Sequence, residues 1–82
     1  MEKFPQLNGD QVALLRAEVN TGIILDENYI YATKEEKKVY TVFESLEKAI
    51  EFAKTITQGR PNVEYGIYGE GEVFLFNVIA TT

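Results

Sequence analysis

The sequence predicts an α+β fold of two layers: an antiparallel sheet of four to five strands with one helix packed on one face, in the order β-β-β-α-β-β. Three observations predict it. Residues 45–58 carry apolar side chains at spacings of three and four, the period of an amphipathic helix. The stretches on either side are rich in β-branched and aromatic residues and are broken by short turn signals. The length of 82 residues bounds a single small domain, 1–82.

Residues 1–10 contain Pro5 and the Asn8-Gly9-Asp10 turn signal, and read as an irregular lead-in with Phe4 and Leu7 pinned to the core. Residues 12–19 admit two readings. As a helix the stretch would be capped by Asp10, with Val12, Leu15 and Val19 on one face and Gly22 as the stop. As a strand it turns Leu15, Ala17 and Val19 to one side and pairs with the following segment through Asn20-Thr21-Gly22. The strand is preferred, because a short glycine-containing loop between apolar runs is a hairpin signal.

Residues 23–33 are extended, with Asp26-Glu27-Asn28 marking a turn or bulge before Tyr29-Ile30-Tyr31. Residues 34–37 form a charged turn, and 38–43 alternate Val39, Thr41 and Phe43 against Tyr40 and Val42 as the second half of a hairpin. The helix follows at once. Leu46, Ala49, Ile50, Phe52, Ala53 and Ile56 make its apolar face; Glu47, Lys48, Glu51, Lys54 and Thr55 stay in water. Ser45 is its N-cap, Glu47 complements the helix dipole, and Glu44–Lys48 and Glu51–Lys54 are paired on its wet side. Gly59 is expected to close it in a left-handed conformation, and Pro61 to prevent its resumption.

After the helix, 63–68 alternates Val63, Tyr65 and Ile67 with Glu64, Gly66 and Tyr68, the mark of a half-buried strand. Gly69-Glu70-Gly71 is the turn into a last strand at 72–80, which is apolar on both sides: Val73, Leu75 and Ile79 on one, Phe74, Phe76 and Val78 on the other.

Composition narrows the function classes. The formal charge is −5, and the one basic cluster, Lys34, Lys37 and Lys38, encloses Glu35 and Glu36. That balance argues against a nucleic-acid or membrane surface and suits a basic protein partner. The first residues lack a signal peptide's apolar run and no stretch approaches a membrane span, so a cytoplasmic protein is expected. With no histidine and no cysteine, triad catalysis, histidine acid–base chemistry, thiolate metal sites and disulfides are all removed. Asp26-Glu27-Asn28 lacks the spacing of a calcium loop and reads as a solvated turn. Gly69-Glu70-Gly71-Glu72 would put two carboxylates where a phosphate should sit, so it reads as a hairpin. Glu64, alternating with inward residues, reads as solvated. No catalytic residue, cofactor or metal site is expected, and the chain is read as non-enzymatic.

One helix covers only one face of such a sheet, yet apolar and aromatic residues are supplied to both. Tyr31, Tyr40, Val42, Tyr68, Phe74 and Phe76 are therefore the candidate interface. Three readings of that face are open: the N-terminal segment folds over it, it forms a homodimer, or its tyrosines bind a small molecule. The small core favours self-association, and the expected function is an interaction module of regulatory or inhibitory kind.

Overall fold

The computed structural model describes residues 3–32 and 38–79. Its elements are β1 (Val12–Glu18), β2 (Ile24–Leu25), β3 (Tyr40–Phe43), α1 (Leu46–Thr57), β4 (Val63–Gly69), a 3₁₀ turn at Glu70–Glu72 and β5 (Val73–Val78). This is the expected α+β arrangement, an antiparallel five-stranded sheet with a single helix against it. Among the described residues no helix is long and apolar enough to cross a membrane.

The strand reading of 12–19 holds, and β1 is the middle of the molecule. One edge of β1 pairs with β4 from Ala13↔Tyr68 to Glu18↔Val63. Its other edge is shared end to end: β3 takes Val12 to Leu15, and β2 takes Arg16 and Ala17. Because β3 and β4 both run antiparallel to β1 on opposite sides, they are parallel to each other and α1 joins them over β1. Among the described residues no strand ladder joins 23–32 to 38–43, where the sequence predicts a hairpin; a single backbone hydrogen bond, Glu27 N–H to Lys38 C=O at 3.1 Å, links them. Asp26 ends β2: its carboxylate turns inward and accepts from the amides of Asn28 (2.8 Å) and Ile30 (3.1 Å). The chain then folds back on itself, Asp26 N–H donating to Ile30 C=O and Leu25 bridging Tyr31, so Asp26 is buried rather than solvated. The free stretch of β1 is left for β3. The charged turn expected at 34–37 lies outside the described residues.

Alternation sets the two faces. Val12, Leu14 and Arg16 of β1 point toward α1 with Val63, Tyr65 and Ile67 of β4, Leu25 of β2 and Phe43 of β3. Ala49 and Ala53, both wholly buried, let α1 approach closely, while Leu46, Ile50, Phe52 and Ile56 pack around the margin. Ser45 caps the helix as expected, its hydroxyl accepting from the Lys48 amide at 3.2 Å. The far end differs. Gln58 remains helical, Gly59 has no positive φ, and its N–H closes the last turn on Ile56 C=O at 3.0 Å. Three-residue closure of this kind serves the last carbonyls without a left-handed residue.

The 69–71 turn shifts by one residue. Gly69 pairs with Val73 and ends β4, and the turn proper is Glu70–Glu72, with Gly71 at φ 74° and Glu72 at φ 63°. A β-bulge follows, so that Ile67 pairs with Phe76 but Tyr68 with Phe74, leaving Leu75 as the extra residue.

Candidate functional site

On the face away from α1, register brings together Ala13 and Leu15 of β1, Tyr40 and Val42 of β3, Tyr68 of β4 and Phe74 of β5. The lead-in segment crosses this face. The Phe4 ring stands edge-on to Tyr40 (5.2 Å) and Tyr68 (6.5 Å), and Tyr68 stands edge-on to Phe74 (5.6 Å). A row Tyr40–Phe4–Tyr68–Phe74 therefore spans the sheet, with rings in the edge-to-face arrangement that their quadrupoles favour. Ala13 lies on the same face and is fully buried, as is Leu7 nearly so. Phe4 thus fills the space between the two tyrosines that a ligand on this face would occupy.

Four of the six candidate interface residues share the face: Tyr40, Val42, Tyr68 and Phe74. Tyr31 and Phe76 do not, which corrects the grouping drawn from the sequence. Tyr31 bridges Leu25, a residue of the helix-side core, and its hydroxyl donates to Glu18 Oε2 at 2.9 Å. That hydrogen bond to a carboxylate raises the phenol above its ordinary value. Phe76 pairs with Ile67, again a helix-side residue. The cause is the bulge: strict alternation would keep Phe74 and Phe76 together, and one inserted residue separates them.

The cover is incomplete toward β5. Val73, Phe74, Leu75, Phe76 and Ile79 are each 39–57% exposed, and in β5 only Val78 is buried. β5 is also a sheet edge, pairing with β4 alone. Its outer row of N–H and C=O groups has no ladder partner among the described residues. The two edges contrast sharply. The opposite one is made of two short strands set end to end, of two and four residues, and so offers no long template. β5 is a six-residue run without a charge, in which Asn77 alone is polar and apolar residues stand on both faces.

Glu64 is half-buried opposite Ala17, while Glu70 and Glu72 are exposed on the turn. No group of three or more His, Cys, Asp or Glu residues that could hold a metal occurs among the described residues. Comparison with protein-family models, curated proteins and solved structures finds no match for this chain.

Proposed function

We propose that this chain is a non-enzymatic interaction module that self-associates, two copies pairing their β5 strands antiparallel about a two-fold axis into one continuous sheet. The observation that carries this reading is the exposed, uncharged and, Asn77 apart, apolar character of an edge strand whose outer side has no partner among the described residues. Such an edge recruits another strand, because its backbone groups are a template and its side chains gain by leaving water. A second copy of the same strand fits it. Residues 73–79 carry no charge and span about 23 Å at the rise of an extended chain. Antiparallel pairing about a two-fold axis therefore sends Glu70 and Glu72 of each copy to opposite ends of the seam, away from one another. Phe74 adds the open face to the contact, while Leu75 and Phe76 add the helix side, so apolar area on both faces reinforces the backbone pairs.

Amide hydrogen exchange over a dilution series tests the pairing. The expected result is protection of Val73–Val78 that falls on dilution while the amides of β1 and β4 keep theirs. Exchange in β5 that does not depend on protein concentration contradicts the proposed seam.

A further inference from the structure

Apart from the sheet edge, one cluster on the helix side is chemically unbalanced. Arg16 is only 3% exposed, and its Nε and Nη1 have no hydrogen-bond partner. Its guanidinium carbon lies 5.3 Å from the centre of the Tyr29 ring, and that of Arg60 lies 3.9 Å from the same ring. Tyr65, paired with Arg16 across β1 and β4, donates its hydroxyl proton to the Tyr29 oxygen at 3.3 Å. The Tyr29 hydroxyl then has its own proton to give, and no described acceptor takes it. A guanidinium offers donors only. Arg16, Arg60 and Tyr29 thus converge as three sets of donors without an acceptor.

The acidic groups nearby are already engaged. Glu18 accepts from Thr21 Oγ1 (3.0 Å) and Tyr31 Oη (2.9 Å), and Asp26 holds the amides of its own turn. Nor is the cluster sealed. A cleft of about 390 Å³ opens beside it, lined by Glu18, Leu25, Tyr29, Tyr31, Arg60 and Val63, a size suited to a small molecule. An oxyanion in the cleft meets the Arg60 guanidinium and the Tyr29 hydroxyl together, while the sealed Arg16 guanidinium favours negative charge there from behind the Tyr29 ring. Tyr29, a non-glycine residue at φ 64°, is held in place by the turn that Asp26 organises.

We infer that Arg60 and Tyr29, which line this cleft, bind a small molecule through a carboxylate or phosphate group, with the buried Arg16 adding positive charge behind the Tyr29 ring and with Leu25, Val63 and the tyrosine rings receiving the apolar part. The site lies on the opposite side of the sheet from the Tyr40–Phe4–Tyr68 row and does not depend on dimerisation. Two guanidinium charges against the one Glu18 carboxylate at the cleft make this corner locally positive in a chain whose net charge is −5.

The test is titration of the intact chain with sodium phosphate and, separately, with sodium benzoate, at constant ionic strength made up with sodium chloride, followed through amide resonances. Saturable shifts centred on Tyr29, Ile30, Arg60 and Asn62 are expected, with a Kd of about 1 mM or tighter. Arg60→Gln and Tyr29→Phe, both at the margin of the fold, are each expected to weaken binding about tenfold or more. Lys54→Gln, on the wet side of α1, leaves it unchanged. Saturation by phosphate alone assigns the phosphate class, by benzoate alone the carboxylate class, and by both the shared oxyanion chemistry. No saturable shift with either probe, or binding unaltered in Arg60→Gln or Tyr29→Phe, overturns the inference.

Discussion

Tyr65 stands where β4, β1 and the 26–31 turn meet, with its ring fully buried and its hydroxyl donating to Tyr29. Burial, followed by that hydrogen bond, raises its phenol above the ordinary value of 10.0, against the lowering effect of the Arg16 and Arg60 charges. The sign of the consequence is fixed. Below pH 10 folded and unfolded chains both keep this proton and its contribution is constant. Above it the unfolded chain releases the proton first, so stability falls as pH rises toward the folded-state value. The urea midpoint is expected to drop from about pH 10 upward, by a slope that Tyr65→Phe reduces. Tyr31, hydrogen-bonded to Glu18, acts in the same direction and accounts for part of the slope that remains. Identical alkaline slopes for wild type and Tyr65→Phe would contradict this account. At this scale the sequence was least legible. Alternation along β1 does put Arg16 with Val12 and Leu14, but both faces of the strand are apolar. Only the register with Tyr65 and Ile67 decides that this one turns inward.

At the scale of elements, α1 shows which sequence signals are sufficient. Ser45, the three-four apolar stripe and the exposed charges all point to the same helix, and the structure begins it at Leu46. Ser45→Ala is expected to cost about 1 kcal/mol, read as a lower urea midpoint at unchanged m-value. The turn before β5 gives a second check. Nothing lies within 4 Å of where a Cβ on Gly71 would stand, and its φ is +74°. Gly71→Ala therefore meets no steric obstacle, and its loss of roughly 1–2 kcal/mol is purely one of backbone conformation. Gly59→Ala, at a position without positive φ, is expected to be nearly neutral by comparison. A larger loss at Gly59 than at Gly71 would reverse the assignment of the two glycines. What the sequence hid at this level was pairing. A hairpin between 23–33 and 38–43 satisfies local rules, but among the described residues no ladder joins the two, because the Asp26 carboxylate captures the amides of Asn28 and Ile30 and closes the chain early. The bulge at Leu75 was equally hidden, since an inserted residue leaves no mark in an apolar run.

At the scale of the molecule, the sequence poses a correct problem, two apolar sheet faces and one helix, and the structure answers half of it with the lead-in segment. Phe4 caps Tyr40 and Tyr68, so the cover belongs to the fold itself over that part of the face. Toward β5 the cover ends, and the apolar surface left there runs along an edge with no strand partner among the described residues. Self-association through that edge is the central claim. The most direct test is the solution mass by light scattering at micromolar concentration, for wild type and for Phe74→Glu. Phe74 is 57% exposed, so a charge there leaves the core untouched and places two carboxylates within the dimer seam. The account predicts a wild-type mass of twice the 9.3 kDa chain, and a Phe74→Glu variant that keeps its circular dichroism spectrum but has the mass of one chain. A wild type that scatters as a single chain throughout the micromolar range would contradict it.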